Sequence, residues 1–328
     1  MKAAWYERQG PAADVLVVGQ MPDPEPGPGE VRIRTRVSAV HPGDVKKRQD
    51  SFGVGMPFPR VIPHSDGAGT IDRVGAGVAA TRVGERVWCF GAQSYRAFGT
   101  AAEYVVVPSS QAIVLPDRAT LEQGACLGIP GITADRAVHV AGPVRDRVVL
   151  VQGGAGAVGR CAVALARQAG ASVVATVRAP SDVAVAQRAG AQHVVCTEGL
   201  AVDDLVARVL APAPDGVDHI VEVAFDANVA VDELLLRQGG SIATYATGGT
   251  PGPIPFWPLV FKNVGVFFLG SDDFSAPAKA AAAARLTELL AAGWAGLGVE
   301  ASFALDEVAA AHAAVETRRI AGPALLRV

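Results

Sequence analysis

The chain reads as an α/β protein in which a β-rich region accompanies a doubly wound parallel sheet. Three observations carry this. Short strands between glycine turns fill the first ~120 residues, helices then alternate with apolar strands, and a glycine-rich turn joins the first of those strands to a helix.

The glycine turn is the sharpest of the three. Val148-Val149-Leu150-Val151-Gln152 runs into Gly153-Gly154-Ala155-Gly156-Ala157-Val158-Gly159, with G-x-G-x-x-G at Gly154, Gly156 and Gly159 and a helix-forming segment after it. A dinucleotide pyrophosphate needs this order. The first glycine permits the tight turn, the second lets backbone approach phosphate, and the third lets helix pack on strand. The free N–H groups and positive dipole end of the helix then face the anion. Gly153, Gly154, Gly156, Ala157, Val158 and Gly159 are therefore the expected cofactor loop.

The next strand, Ser172 to Val177, selects the cofactor. An NAD site ends it with Asp or Glu, about 20 residues past the glycines, on the ribose hydroxyls. Here the tip reads Thr176-Val177-Arg178-Ala179-Pro180-Ser181, with no carboxylate before Asp182. Arg178 is placed to meet a 2′-phosphate, and Thr176 or Ser181 could add a hydroxyl. The expected cofactor is NADPH.

Further parallel strands are expected at 193–196, 218–223, 240–245 and around 264–269, with helices near 121–127, 130–141, 157–169, 181–189, 201–210 and 228–238. In the front region Glu30 to Val37 alternates polar and apolar, as a half-buried strand does. Gly67–Gly75, Gly84–Phe90 and Glu103–Pro108 continue the pattern. In the tail an Ala-rich helix is followed by a second helix from Leu305 to Thr317, with Asp306 as N-cap. A closing strand over Pro323–Val328 returns to the first region. The expected division is 1–123 with 267–328, and 124–266.

Composition excludes several classes. Net charge is −3 and charged residues make up 19%, without the basic run that nucleic acid requires or an acidic tail. No charge-free apolar stretch reaches the ~18 residues of a membrane span. Cys89, Cys126, Cys161 and Cys196 are dispersed, without metal-ligand spacing. With no signal-peptide core near Met1, a reduced, cytoplasmic protein is expected.

A β-rich front, a central dinucleotide unit and a returning tail together resemble the medium-chain dehydrogenase/reductase superfamily. The chain is most similar to its zinc-independent quinone reductase branch, the zeta-crystallin-like enzymes. The resemblance rests on Pro28-Gly29-Glu30-Val31, Gly84-Glu85-Arg86-Val87, Gly124 to Ala134 with its Ile129-Pro130…Thr133-Ala134 element, Gln152 to Gly159, Ala189-Gly190-Ala191 and Asp215-Gly216-Val217-Asp218. It implies a GroES-like catalytic domain beside a Rossmann domain, and a homodimer. It also implies hydride transfer from NADPH to a quinone or a related conjugated carbonyl.

Zinc alcohol dehydrogenases of the superfamily carry a Cys after an early strand and a later Gly-His-Glu. This chain has Val40-His41-Pro42 and His64-Ser65-Asp66 there, which replaces the Cys by His41 and the ligand His by Ser65. The four-cysteine structural zinc cluster is missing too. No metal is expected. Without a Lewis acid, reducing a conjugated acceptor is easier than stabilising an alkoxide.

The resemblance implies that Thr133 lies beside the nicotinamide, with His41 and Phe268-Leu269-Gly270 closing around the ring and Gly248 along the cofactor. His41 stands where the branch usually has Asn. It reads either as a turn histidine bonding to nearby backbone or as a proton donor to the reduced carbonyl oxygen. Phe52, Phe58 and Trp257 are candidate substrate walls, weighed evenly against ordinary packing for the two phenylalanines and against a dimer contact for the tryptophan. Asp44 and Asp66 read mainly as structural hydrogen-bonders. The basic residue that the branch places near the closing strand would here be Arg318 or Arg319, or the contact is absent, and Thr197 replaces a tyrosine near the adenosine. Two rivals stay open: a pathway-specific enone or enoyl reductase, and an NADPH-binding protein without turnover.

Overall fold

The structure is a computed structural model and describes residues 1–249, 252–317, 320 and 322–328. Arg318 and Arg319 lie outside the described residues. The chain divides into two compact units, Met1–Ile129 with Leu286–Val328, and Pro130–Arg285.

The front of the first unit runs β1 (Lys2–Trp5), α1 (Ala12–Val15), β2 (Val17–Gln20), β3 (Glu30–Val40), α2 (Pro42–Gln49), β4 (Asp66–Val74), β5 (Arg86–Cys89), β6 (Tyr104–Pro108), β7 (Ala112–Val114) and α3 (Leu121–Ala125). β3 is the spine. It pairs antiparallel with both β4 and β6, and the register shifts in the β3–β4 ladder bend the sheet. Gly69 and Gly75 are required inside this fold, because a Cβ would meet the carbonyl oxygens of Arg34 and Gly27 at 2.0 and 1.8 Å. Val31, Ile33, Ile71, Val87 and Val105 close the core of this layer.

The second unit alternates strand and helix. It carries most of α4 (Gly128–His139), then β8 (Val148–Val151), α5 (Ala157–Gln168), β9 (Ser172–Val177), α6 (Val183–Ala189), β10 (His193–Cys196), α7 (Val202–Leu210), β11 (Val217–Glu222), α8 (Phe225–Leu235), β12 (Leu236–Thr244), α9 (Phe256–Phe261), β13 (Gly265–Phe268) and the larger part of α10 (Ala276–Ala291). Its six strands are all parallel in the order β10-β9-β8-β11-β12-β13. The order reverses between β8 and β11, and ligands bind at such a switch point beyond the carboxyl ends of the strands. Parallel strands are covered on both faces, which is why β9 reads as an unbroken apolar run.

The boundaries fall later than the expected 123/124 and 266/267. β13 pairs with β12 inside the parallel sheet, and Arg285 of α10 forks onto Asp135 of α4 at 2.6 and 2.8 Å. The helix expected at 228–238 begins and ends three residues earlier. The Glu222 carboxylate takes the N–H of Ala224 and the amide of Asn228, starting α8 early, and Leu236 is already extended.

The tail adds β14 (Ala301–Ala304), α11 (Val308–Glu316) and β15 (Ala324–Arg327) to the first unit. β15 pairs antiparallel with β3 and parallel with β14, completing a seven-stranded sheet. Asp306 is not an N-cap. Glu307 takes the N–H of Ala304 at 2.8 Å instead, and Asp306 pairs with Lys2 at 2.5 Å. Among the described residues no helix is long and apolar enough to cross a membrane.

Candidate functional site

Within the second unit the glycine turn links β8 to α5, with roles shifted from those expected. Gly153, not Gly154, takes the left-handed turn, at φ +71°. Gly154 donates its N–H to the Thr176 carbonyl at 2.8 Å and packs so close to β9 that a Cβ would stand 2.7 Å from that of Ala175. Gly159 is pressed onto the turn itself, its missing Cβ only 2.2 Å from the Gly153 carbonyl oxygen. Gly156, the N-cap of α5, is the open position. The nearest atom to a Cβ there is the Gly153 carbonyl oxygen at 3.4 Å. The first intrahelical bond runs from Arg160 N–H to the Gly156 carbonyl at 2.8 Å, so the N–H groups of Ala157, Val158 and Gly159 precede the ladder and head the helix dipole. These residues fit a pyrophosphate.

At the tip of β9, Thr176 is buried and its hydroxyl is spent inward. It donates to Gln152 Oε1 at 2.5 Å and accepts the Gly153 N–H at 3.3 Å. It orders the turn and has no hydroxyl left for a ribose phosphate. Arg178 is exposed directly beyond the strand, and among the described residues its guanidinium makes no hydrogen bond or ion pair. Asp182 sits half-buried in the turn after it.

Other candidates in this unit lie on several of its elements. Thr133 is buried on α4. Gly248, past β12, donates its N–H to Asp226 at 2.9 Å. Phe268 ends β13 70% exposed, its ring edge-on to Phe225 at 5.4 Å, and Gly270 follows, where a Cβ would meet Asp273 Oδ2 at 3.8 Å. Trp257 is exposed on α9, stacked on Phe261 at 5.9 Å and edge-on to Phe256 at 5.3 Å.

Within the first unit His41 and Asp66 come together. His41 caps α2 and is buried, its N–H held by the Asp44 carboxylate at 2.8 Å. Its Nε2 lies 2.7 Å from Asp66 Oδ2, off the axis of a well-aligned hydrogen bond. Burial, the largest single influence, works against an imidazolium here, but the Asp66 charge, its contact with the ring and the Asp44 charge together raise the pKa above the ordinary 6.5. Asp66 is anchored in turn by the Ile129 N–H at 2.5 Å. Gly128 makes room for it, since a Cβ there would fall 2.1 Å from Asp66 Oδ1. Asp44 is pushed up to about 6 by burial. Phe52 is exposed, whereas Phe58 packs on Tyr6, Val15 and Val61 as part of a core cluster.

Sequence reasoning missed a buried chain next to this pair. Arg48 Nε donates to His312 Nδ1 at 3.4 Å, and the two histidines meet Nε2 to Nε2 at 2.9 Å. His64 Nδ1 then reaches Ser38 Oγ at 2.8 Å, Ser38 reaches Thr100 Oγ1 at 2.7 Å, and Thr100 donates to the Asp66 carbonyl at 2.7 Å. Arg48 can only donate and a carbonyl can only accept, so every link points one way and both histidines are neutral. His64 adopts φ +75° to take its place. Zinc needs three or four N, S or O donors. Among the described residues no group of three or more His, Cys, Asp or Glu is placed to hold a metal, and both His64 nitrogens are engaged.

Two families match the chain: the alcohol dehydrogenase GroES-like domain over residues 27–117 and the zinc-binding dehydrogenase family over 157–284. The quinone oxidoreductase of Rattus norvegicus is 31% identical over 229 residues, 69% of this chain and 67% of that protein. That of Mus musculus is 29% identical over 288 residues, covering 86% and 84%. Among solved structures, a mycobacterial protein complexed with NADPH superposes over 100% of both chains with a TM-score of 0.86 at 24% identity.

Proposed function

The chain belongs to the medium-chain dehydrogenase/reductase superfamily, in its quinone oxidoreductase branch, and from that membership we propose a zinc-independent, NADPH-dependent reductase of quinones or related conjugated carbonyls. The observation that carries the reading is the turn at Gly153–Gly159, shaped for a pyrophosphate and followed one strand later by an unpartnered Arg178 where an NAD site needs a carboxylate. The NADPH complex of the mycobacterial structure supports it.

Bound NADPH supplies a hydride to the acceptor. The chain's residues bind, orient and protonate. Gly153, Gly154, Gly156 and the N–H groups of Ala157, Val158 and Gly159 receive the pyrophosphate, Arg178 takes the 2′-phosphate, and Gly248, Phe268 and Gly270 border the cofactor. Thr133 lies at the nicotinamide. His41, whose charged form Asp66 favours, gives the proton to the carbonyl oxygen. Phe52 and Trp257 contribute apolar walls; Phe58 does so only through its half-exposed face.

His41 favours a second reading within the same chemistry. Negative charge delocalises over a quinone but concentrates on oxygen in an acyclic enone, where a nearby acid is worth more. An enone or enoyl reductase of one pathway is therefore the alternative. Steady-state rates with 1,4-benzoquinone against acyclic enones decide between them. Activity on enones alone removes the quinone name, and NADPH binding without turnover of either class leaves a binding protein.

We also propose a cytoplasmic homodimer, joined along the β13 edge. Phe256, Trp257, Phe261 and Phe268 are exposed there beside an unpaired strand, the kind of apolar edge that a second copy would cover.

A further inference from the structure

Beneath the glycine turn lie two acidic side chains that the chemistry above does not use. Glu222 ends β11 and Asp232 sits on α8, both with no solvent exposure. Their carboxyl groups are within hydrogen-bond reach of each other. Glu222 Oε1 accepts the N–H of Ala224 and, at 3.0 Å, the amide of Asn228. Asp232 Oδ1 accepts the Gln152 amide at 2.9 Å, while Asp232 Oδ2 faces no donor at all. Two buried carboxylates in contact cannot both be ionised. A proton on Asp232 Oδ2, donated to Glu222, satisfies both groups.

That proton completes a directed chain. Gly153 N–H donates to Thr176 Oγ1, the Thr176 hydroxyl to Gln152 Oε1, the Gln152 amide to Asp232 Oδ1, and Asp232 to Glu222. One end is the left-handed glycine of the turn and the other is the tip of β11, across the switch point of the sheet. We propose that a single proton shared by Asp232 and Glu222 positions the glycine turn for NADPH, which makes Asp232 a positioning residue for cofactor binding. This rests on the cofactor reading given above.

Burial, and then the Glu222 charge, hold Asp232 well above the usual carboxylate range. Of the titratable groups facing the pair, Tyr245 past β12 is pushed well up by burial, then by Glu222 and Cys161. Cys161 on α5 is itself raised to about 12 by burial. Gln152, Thr176 and Asn228, the other groups set against it, do not titrate. Rising pH removes the shared proton. Its loss leaves two carboxylates repelling each other and pulls Asp232, with the Gln152 amide, away from the turn.

The test is calorimetric titration with NADPH from about pH 7 to about pH 10, above the second ionisation of a phosphate near 6. The wild-type Kd rises at the alkaline end, approaching tenfold per pH unit for one proton. Asp232→Asn keeps the acceptor for Gln152 and a donor for Glu222, so its affinity matches wild type at about pH 7 and stays flat above it. Asp232→Leu removes both and binds at least about tenfold more weakly throughout. The cofactor-free wild type minus Asp232→Asn infrared spectrum at neutral pH shows a protonated-carboxyl band. A parallel pH profile in Asp232→Asn, or no such band, overturns the proposal. Absence of NADPH binding in every variant overturns the cofactor reading and the positioning role with it, while the infrared band still reports the proton separately.

Discussion

His64 and His312, 248 residues apart in sequence, meet Nε2 to Nε2 at 2.9 Å in the buried core of the first unit. Only one proton fits between them. Burial holds His64 well below 6.5 and His312 down to about 3, each pressed further by a neighbouring positive or ring group. Both folded pKa values lie below the unfolded one, so the unfolded chain binds more protons under pH 6.5. Stability is full above 6.5 and falls as pH drops toward about 3. The loss approaches ~1.4 kcal/mol per histidine per pH unit. Thermal melts between pH 7 and 5.5 follow it, as a fall in the melting temperature of roughly 4–8 °C. His312→Gln reproduces the acceptor for Arg48 and the donor for His64 and removes one titration, so its pH slope is about half that of wild type. Equal slopes contradict the neutral pair.

The His41–Asp66 contact predicts a pH–rate profile. An acid with a raised pKa is active below that value, and activity falls as pH rises through it. Asp66→Asn removes the charge that sustains the imidazolium, and the alkaline limb of kcat moves to lower pH. His41→Gln lowers kcat roughly a hundredfold with little change in the KM for NADPH. Gly128→Ala drives a methyl into the space of the Asp66 carboxylate and moves the limb in the same direction. An alkaline limb unmoved in all three assigns His41 to a turn role only.

The glycines of the second unit separate into two classes. Gly159→Ala sets a Cβ against backbone at 2.2 Å and lowers thermal stability by at least about 2 kcal/mol. Gly156→Ala meets nothing closer than 3.4 Å, so the protein melts like wild type while NADPH affinity falls at least about tenfold. Melting curves and calorimetric titrations on the two variants check this. Comparable destabilisation in both removes the distinction.

The aromatic edge makes a prediction for assembly. Trp257→Glu places a charge among Phe256, Phe261 and their neighbours, and sedimentation of the variant shows a monomer where wild type shows a dimer. A wild-type protein that sediments as a monomer at micromolar concentration refutes the interface.

Much of the second unit was legible in the sequence because its signals are local. β8, β9 and β10 lie within a residue of their expected bounds, since parallel strands buried on both faces read as continuous apolar runs. The errors have local physical causes too. Glu222 starts α8 early through a side-chain bond to the Ala224 N–H, and Glu307 displaces Asp306 as a cap. That the Thr176 hydroxyl turns inward is not visible in the sequence either, because the strand tip shows no sign that Gln152 waits behind it. His312, Glu222 and Asp232 carry no motif at all, and His64 stands in one only as the residue that replaces its glycine. Their meaning comes from partners on distant strands and helices, which only the folded chain brings into contact.

Calorimetric titration of NADPH and NADH, in wild type and in Arg178→Ala, shows whether Arg178 is what makes this an NADPH site. A charge-assisted hydrogen bond of roughly 1.5–3 kcal/mol gives a tenfold to hundredfold preference for NADPH. In Arg178→Ala that preference collapses while NADH binding is unchanged. Equal affinities for the two cofactors in wild type, or a preference that survives the substitution, mean that Arg178 does not bind the 2′-phosphate.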